Sequence, residues 1–408
     1  MFDRTWYLVH ISVMLTMCNK CQEPFRRLEG KKIVIAVTAS ISIYRIPDLA
    51  RDLVKLGASV TCAMSESSQE LVSPEVFKWA SGSDPVTSIT GRVEHISFFN
   101  DPHNTILVIA PATYNILGKM AAGISDEIPS LMFAYAFGHG VPVIVAPAMH
   151  EDMLRNPVMV DNIRRLSSLG VSFVSPRIED EKAKISENIS IIDEIYRSFN
   201  HGNMDGKKAL VISGRSEESL DPVRVISNRS TGTTGYWLAR NLYRLGASQV
   251  TLIGNTSQAL PPYINQIHAD STDDFYRETK AELKSDTYDI VFVPAALSDF
   301  SVTKQSRKIE SGKELSITLK PRKKLLDAIR MEHKGTLVSF KLDHEGGKFA
   351  GQGSKDEYIV FNEIRPEGRT FGDNSAEYKV FGGDGTHEII ANGKEEATWR
   401  LILHVAGK

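Results

Sequence analysis

Cysteine is scarce in this chain of 408 residues, which contains only Cys18, Cys21 and Cys62. So few cysteines argue against a disulfide framework and are typical of a protein that works in a reducing cytoplasm. Cys18 and Cys21 have the spacing of half a zinc site, but the sequence has no second pair with this spacing to complete a tetrahedral site.

Long apolar runs and an excess of one charge are also missing. The apolar run from Trp6 to Met17 is too short for a bilayer, which needs about 20 residues. The net charge of −2 gives no reason to expect nucleic acid or a membrane surface as a partner. The length suits two or three domains, and we interpret residues 1–28 as an N-terminal arm of unknown role.

The common dinucleotide fingerprint G-x-G-x-x-G does not occur either, and residues 221–235 offer a different glycine loop. This stretch lies between a strand-like run at 209–213 and a helix-like run at 236–242. Gly232 and Gly235, with several hydroxyl residues, would then lie at a helix N-terminus. Unpaired N–H groups and the helix dipole favour an anion there, so the stretch predicts a phosphate-binding loop.

The chain repeats itself in two halves. Residues 49–59 and 238–248 are near copies, and each follows a Gly-Lys-Lys turn and an apolar strand. Strand–helix–strand units of this kind predict right-handed crossovers and parallel sheets. The polar stretch 199–205 separates the halves, so we predict domains at 29–200 and 206–408. In the first half, the apolar strands 105–110 and 141–146 each end in a Pro-containing loop, and these loops should face one crevice.

Two families resemble this chain. The string Asp-Pro-Val-Arg, Ile-Ser-Asn and Ser-Thr-Gly-Thr-Thr-Gly within 221–235 looks like the nucleotide-binding loop of phosphopantothenate–cysteine ligases, and the resemblance extends over 206–408. Residues 29–198 resemble the flavoprotein family of phosphopantothenoylcysteine decarboxylases. The resemblance implies an α/β protein with two doubly wound parallel-sheet domains. The first would be flavodoxin-like and the second Rossmann-like, in one bifunctional enzyme of coenzyme A synthesis.

In the first half the resemblance implies a flavin site. His95 matches the family's active-site histidine, and an imidazole suits proton handling because it titrates near working pH. The flavin itself would be held by hydroxyl, amide and thioether side chains, namely Thr38, Ser40, Ser65, Ser67, Thr113, Asn115 and Met149.

The first half also departs from the family at residues that are expected to contact the substrate. His150 stands where the bacterial pattern has Asn, and an imidazole could still hold the substrate carboxylate. The flap at 178–184 lacks the cysteine thought to donate a proton, although Lys184 keeps a basic flap residue. Cysteine-free flaps of this type look like the archaeal branch of the family.

In the second half the resemblance implies a ligase site. Asn228 matches the asparagine that holds the acyl-nucleotide intermediate, and Lys308 matches the mobile-loop lysine that neutralises developing charge. Asp299 is the expected magnesium contact, since magnesium prefers carboxylate and phosphate oxygens. Substrate and nucleotide contacts are expected at Gly214, Ser216, Asp299, Lys320, Phe340 and Asn362.

The implied partners are 4′-phosphopantothenate, cysteine and CTP, with FMN and Mg²⁺ as cofactors. In these families the flavin domains form trimers and the ligase domains form dimers, which together predict a homo-oligomer, possibly a dodecamer. Two other interpretations stay open. The cysteine-free flap fits a ligase with a silent flavin domain, and some relatives of the fold are non-enzymatic flavoprotein regulatory subunits. The sequence does not decide between CTP and ATP.

Overall fold

The computed structural model describes residues 28–179, 182–200, 202, 204–312, 314–344, 356–364, 376–383 and 385–407. Cys18 and Cys21 lie outside these ranges, as does all but the last residue of the predicted arm. That last residue, Leu28, is fully buried in the apolar core of the first domain.

The amino-terminal domain alternates strands and helices. Its strands are β1 (Lys32–Val37), β2 (Ser59–Met64), β3 (Thr105–Ala112), β4 (Val143–Pro147), β5 (Met149–His150), β6 (Ser172–Phe173), β7 (Arg177–Glu179) and β8 (Lys182–Lys184). Its helices are a 3-10 turn (Ile41–Arg45), α1 (Ile46–Lys55), α2 (Glu66–Leu71), α3 (Pro74–Ser81), α4 (Glu94–Ser97), α5 (Tyr114–Ala122), α6 (Ile128–Gly138), α7 (Glu151–Arg155), α8 (Pro157–Ser168) and α9 (Asn188–Phe199).

The main sheet of this domain has the strand order β2-β1-β3-β4-β6, and every pairing is parallel. All eight residues of β3 are buried because helices cover both faces of the sheet. This is the flavodoxin-like order, in which the chain adds β2 on one side of β1 and the later strands on the other side. Ligands in such folds bind at this switch point, outside the carboxyl ends of the strands.

The carboxyl-terminal domain repeats the plan on a larger sheet. Its strands are β9 (Lys208–Ser213), β10 (Glu217–Ser219), β11 (Val225–Ser227), β12 (Gln249–Gly254), β13 (Asn265–Ile267), β14 (Ile290–Val293), β15 (Phe300–Ser301), β16 (Lys320–Pro321), β17 (Thr336–Asp343), β18 (Glu357–Glu363), β19 (Ala376–Gly382) and β20 (Gly385–Ala391). Its helices are α10 (Thr233–Arg244), α11 (Thr272–Ser285), α12 (Leu325–Glu332) and α13 (Lys394–Val405).

The large sheet has the order β13-β12-β9-β14-β17-β18-β19-β20. The pairings from β13 to β18 are all parallel, and the strand order is Rossmann-like. The chain adds strands on one side of β9 and then, from β14 onward, on the other side. The last two pairings are antiparallel. The apolar pattern of the sequence predicts a final strand at 377–381, which is wrong, because β20 follows it and forms the edge of the sheet.

Two small hairpins add to the predicted elements. β10 pairs with β11, and β15 pairs with β16, both antiparallel. Of the first hairpin, β11 lies inside the predicted loop at 221–235 and β10 lies before it, so the predicted loop is not one continuous loop.

The internal repeat is present in the backbone. In the first domain Ser59 N donates to Lys31 O at 2.9 Å, and in the second Ser248 N donates to Lys207 O, also at 2.9 Å. The same turn therefore fixes the start of both the first strand and the strand paired with it.

A buried polar cluster joins the two domains. Asp193 of α9 is completely buried and accepts hydrogen bonds from two arginines of α10: Arg240 at 2.7 and 2.9 Å, and Arg244 at 2.6 Å. Tyr263 donates to the same carboxylate. Beside the cluster, the rings of Tyr196 and Trp399 pack 6.0 Å apart. The apolar core is continuous across this boundary.

Within the described ranges, no helix combines the length and the apolar character that a membrane crossing requires.

Candidate active sites

A cavity of about 490 Å³ opens at the carboxyl ends of β1, β2, β3 and β4, and we call it the amino-terminal cavity. The seven residues predicted to hold the flavin all line its wall: Thr38, Ser40, Ser65, Ser67, Thr113, Asn115 and Met149. The wall is completed by residues that the sequence analysis did not single out: Ala39, Tyr114, Glu127, Ala148 and Met153.

The hydroxyl groups of this cavity are held by the local backbone. Thr38 is buried and donates to Pro111 O at 2.6 Å, which ties the loop after β1 to the loop after β3. Ser65 and Thr113 accept hydrogen bonds from the first turns of α2 and α5, at 3.2 and 3.4 Å. Hydroxyl groups and helix N-termini therefore surround one part of the cavity, an arrangement suited to phosphate and sugar hydroxyls.

One carboxylate also reaches the amino-terminal cavity. Glu127 precedes α6, and Lys119 Nζ lies 2.9 Å from its Oε1. The same ammonium group lies 2.9 Å from Asp126. One lysine is therefore shared by two carboxylates, and it offsets only part of their combined negative charge.

The flap is a hairpin beside the cavity. β7 and β8 pair antiparallel, and β8 also pairs with β5, so that Met149 lies opposite Ala183 and His150 opposite Lys182. His150 is exposed, and its Nδ1 accepts from Asp152 N at 3.4 Å. Lys184 is half-buried at the end of β8. The predicted substrate residues thus lie on one small sheet that continues from the cavity wall.

His95 lies on the short helix α4, outside the residues that line the cavity. Its ring packs edge-on against Tyr135 of α6, with 6.1 Å between centroids. Its Nδ1 is buried, and among the described residues it has no hydrogen-bond partner. Within one chain, the structure therefore does not bring His95 together with the flavin residues.

The second site begins with a glycine cradle between β9 and α10. At Gly214 a Cβ atom would lie 2.1 Å from Asn255 Oδ1, and at Gly232 it would lie 2.4 Å from Asn255 O. At Gly235 it would lie 2.0 Å from Ser213 Oγ. Gly214 and Gly232 also have positive φ, at +98° and +72°. Only glycine allows the backbone to come this close.

Asn255 organises this cradle, although the sequence analysis did not identify it. Its side chain accepts from Arg215 N at 3.1 Å and donates to Arg215 O at 2.9 Å and to Ala269 O at 3.3 Å. The residue directly follows β12, and residues at that strand end face the crevice. Its position after an apolar strand was the signal that could have identified it.

Ser216 and Asn228 meet at the loop that follows β14. Ser216 is buried, and its Oγ accepts from Ser298 N at 2.8 Å. Asn228 is exposed and donates to Ala296 O at 2.9 Å. This contact orients the amide of Asn228 at the open side of the cradle.

The same loop leads to Asp299 and Lys320. Asp299 is exposed, and its carbonyl accepts from Arg322 N at 2.9 Å. Lys320 lies on β16, opposite Ser301. The structure therefore groups Gly214, Ser216, Asn228, Asp299 and Lys320 around one strand-end loop. No set of three or more potential metal ligands occurs among the described residues, whereas a magnesium ion carried by phosphates needs only one or two carboxylates.

Phe340 and Asn362 follow on the next two strands. Phe340 is half-buried and packs edge-on against Tyr378 at 6.0 Å, on the core side of β17. Asn362 lines a smaller cavity of about 190 Å³ between β18, β19 and β20. Among the described residues, neither side chain forms a hydrogen bond with the glycine cradle.

Lys341, beside Phe340, is a half-buried ammonium group that was not assigned a role. Burial lowers the pKa of Lys341, as do the charges of Lys324 and Arg330, whereas Asp299 acts in the opposite direction. Lys341 lies on β17, the strand that pairs with β14, and the loop after β14 carries Asp299.

Two family models together match almost the whole chain. The "Flavoprotein" model matches residues 22–200, and the "DNA/pantothenate metabolism flavoprotein C-terminal domain" model matches residues 204–407. Among solved structures, the C-terminal domain of a coenzyme A biosynthesis bifunctional protein CoaBC is 22% identical and covers 50% of this chain and 96% of its own, with a TM-score of 0.40. A PPC decarboxylase mutant complexed with pantothenoylaminoethenethiol is 24% identical and covers 40% of this chain and 96% of its own, with a TM-score of 0.33.

Curated relatives match across both domains. The coenzyme A biosynthesis bifunctional protein CoaBC of Thermococcus kodakarensis is 37% identical over 323 residues, which is 78% of this chain and 79% of the relative. The protein of the same name from Methanocaldococcus jannaschii is 33% identical, over 78% of this chain and 77% of its own. The chain therefore belongs to the family of coenzyme A biosynthesis bifunctional proteins.

Proposed function

We propose that the two sites of this enzyme act in sequence. The carboxyl-terminal domain ligates 4′-phosphopantothenate to cysteine with CTP, and the amino-terminal domain then decarboxylates the product to 4′-phosphopantetheine with FMN. The decarboxylase and ligase activities follow from membership of the family. The observation that carries the finer assignment is the convergence of the seven predicted flavin residues on one cavity.

FMN fits the amino-terminal cavity. The volume of about 490 Å³ lies in the usual range for ligand sites, about 300–1,000 Å³. The hydroxyl groups suit a phosphate and a ribityl chain, and Ala148, Met149 and Met153 offer apolar surface for a ring. When bound, the flavin would supply the redox chemistry that makes the cysteinyl carboxylate leave as carbon dioxide.

The residues of the chain would then orient the substrate and move protons. His150 and Lys184, on the small flap sheet, are suited to hold the substrate carboxylate and phosphate by hydrogen bonds and charge. His95 would handle a proton at the thiol or carboxylate. Because His95 lies away from the cavity of its own chain, we propose that a second copy brings it to the flavin.

In the ligase site, the glycine cradle would hold the nucleotide phosphates through backbone N–H groups. Asp299 would carry Mg²⁺, and Lys320 would add positive charge. Phe340 and Asn362 would complete the far side of the crevice. Lys308 would neutralise the carboxylate and phosphate as the acyl-cytidylate and pyrophosphate form. Asn228 would hold this acyl-cytidylate until the cysteine amine attacks it, which releases CMP and leaves the amide.

The first test is direct. Purified protein should be yellow and release FMN rather than FAD. Pyrophosphate release with 4′-phosphopantothenate should be faster with CTP than with ATP, and carbon dioxide release should follow when cysteine is added. Pyrophosphate release without carbon dioxide would instead indicate a ligase with a silent flavin domain.

The assembly is part of the same proposal. We propose a homo-oligomer in the cytoplasm, in which trimeric flavin domains and dimeric ligase domains combine, possibly as a dodecamer. Light scattering at micromolar protein should give a mass several times that of the 45.3 kDa chain. A monomer would rule out a flavin site completed by His95 of another copy.

A further inference from the structure

We propose that Asp221 and Arg224 form a clamp that fixes the backbone on both sides of Lys308, the lysine proposed above to act in the ligase reaction. In this role the two are positioning residues, and they act through Lys308. The proposal rests on the function proposed for the carboxyl-terminal domain.

Asp221 is the centre of the clamp. Its side chain is fully buried. One carboxylate oxygen, Oδ1, accepts from Val223 N at 2.7 Å and from Arg224 N at 2.8 Å. The other, Oδ2, accepts from the Arg224 guanidinium at 2.8 Å and from Ile309 N at 3.0 Å. Two of these bonds shape the turn at 221–224, and one reaches across 88 residues to the neighbour of Lys308.

Two further bonds close the clamp from the other side. Arg224 Nη1 donates to Ile309 O at 2.9 Å. Gln305 N donates to Leu220 O at 2.8 Å. The backbone is therefore held at 305 and again at 309, so that Lys308 projects from a segment fixed at both ends.

Lys308 itself has no other anchor. Its side chain is exposed, and among the described residues it makes no hydrogen bond and no ion pair. The position of its ammonium group therefore depends on the backbone that carries it. A misplacement of about 1 Å at a catalytic group can cost about 10²-fold in rate.

The clamp also stays charged where the enzyme works. The backbone hydrogen bond from Ile309 and those from Val223 and Arg224 hold the pKa of Asp221 well below its ordinary value, against the opposing effect of burial. The carboxylate is ionised at neutral pH, so that its bond to the Lys308 loop does not depend on proton uptake.

The test compares Asp221→Asn, Lys308→Gln and the double variant in the full-length holoenzyme. With CTP and 4′-phosphopantothenate, Asp221→Asn should slow pyrophosphate release by about 10²-fold, while the Kd for CTP stays close to that of the wild type. Trypsin should cleave the variant faster after Arg307 and Lys308. In the double variant, the Asp221→Asn change should add almost nothing to the effect of Lys308→Gln, because the clamp acts through that lysine.

Controls separate the clamp from general damage. Asp286→Asn removes an ion pair with Lys208 (2.6 Å), which lies at the amino-terminal end of β9, opposite the strand ends that carry the site. This variant should leave pyrophosphate release unchanged. If Asp221→Asn does not fold, Arg224→Lys keeps the charge but loses the planar guanidinium that bridges Asp221 and Ile309, and should give the same pattern more weakly.

The proposal is overturned if Asp221→Asn releases pyrophosphate and is cleaved by trypsin as the wild type is. It is also overturned if this change slows the Lys308→Gln enzyme by the same factor as the wild-type enzyme. A wild-type protein that releases no pyrophosphate would instead contradict the proposed function.

Discussion

At the scale of single residues, a change at His95 can test the two half-reactions separately. His95 lies on the amino-terminal domain, on one side of Tyr135, and His139 stacks on the same ring at 5.5 Å. The two histidines therefore share a neighbour, but only His95 has a buried ring nitrogen without a partner among the described residues. Because this nitrogen is buried while the residue as a whole is only half-buried, a substrate or another chain would meet the ring at its other atoms.

We expect His95→Asn to abolish carbon dioxide release and to leave amide formation intact, because an amide cannot exchange a proton near neutral pH. Both half-reactions should be measured on the same preparation. The matched control is His139→Asn, which changes the other histidine beside Tyr135 and should keep both activities. Loss of both reactions in His95→Asn would show that the residue is structural.

Some site residues could be predicted from the sequence and others could not. Thr38, Ser65 and Thr113 were assigned by the family resemblance, and each follows a buried strand whose carboxyl end faces the crevice. Asn255 also follows an apolar strand, which predicts a place at the crevice, but its partners Arg215 and Ala269 could not be predicted because they lie far away in the sequence. Contacts that depend on tertiary packing leave no local pattern.

At the scale of elements, the glycine cradle is the part most sensitive to volume. Gly214 combines a positive φ with a backbone contact that a Cβ atom would meet at 2.4 Å. Backbone cannot move aside as a flexible side chain can, so a methyl group must shift the segment that follows β12.

We expect Gly214→Ala to weaken CTP binding at least tenfold while flavin content stays normal. Gly206→Ala is the matched control, since Gly206 has a similar φ of +74° but open space where the Cβ would lie. Titration calorimetry with CTP measures the difference. Equal losses in both variants would mean that backbone strain, and not the close approach in the cradle, causes the effect.

Elements were predictable where burial was complete. β1, β3 and β9 are apolar runs that are almost entirely buried, and the sequence predicts each of them. β20 was missed because it forms the sheet edge and buries only two of its seven residues. The hairpin of β10 and β11 was missed because strands of three residues show no clear alternation.

At the scale of the whole molecule, Asp193 connects the domains. Burial opposes ionisation of this carboxyl, but the charges of Arg244 and Arg240 keep its pKa below the ordinary value. Breaking a buried pair by removing one partner typically costs about 3–5 kcal/mol.

We expect Asp193→Asn to lower the free energy of unfolding by about that amount, 3–5 kcal/mol, at neutral pH. Because the pKa of Asp193 is lower in the folded state, its ionised form stabilises the fold above the unfolded pKa of about 3.9. This stabilisation is lost as the pH falls through the folded pKa. The gap between wild type and variant should therefore narrow below about pH 4. Urea unfolding at several pH values measures it, and Asp161→Asn, which removes an exposed pair with Arg164, is the control. A gap that does not change with pH would contradict the ionised state of Asp193.

The position of α9 and α10 has a consequence for hydrogen exchange. The carboxylate of Glu187, just before α9, binds Arg45 at 2.5 Å, and Arg45 follows the loop of Ser40 at the amino-terminal cavity. Gly232 of the glycine cradle directly precedes α10. The Asp193 cluster ties the two helices together, so their amides should open as one cooperative unit with a common free energy of opening. A ligand that tightens either the Ser40 loop or the glycine cradle should then slow amide hydrogen exchange in both helices.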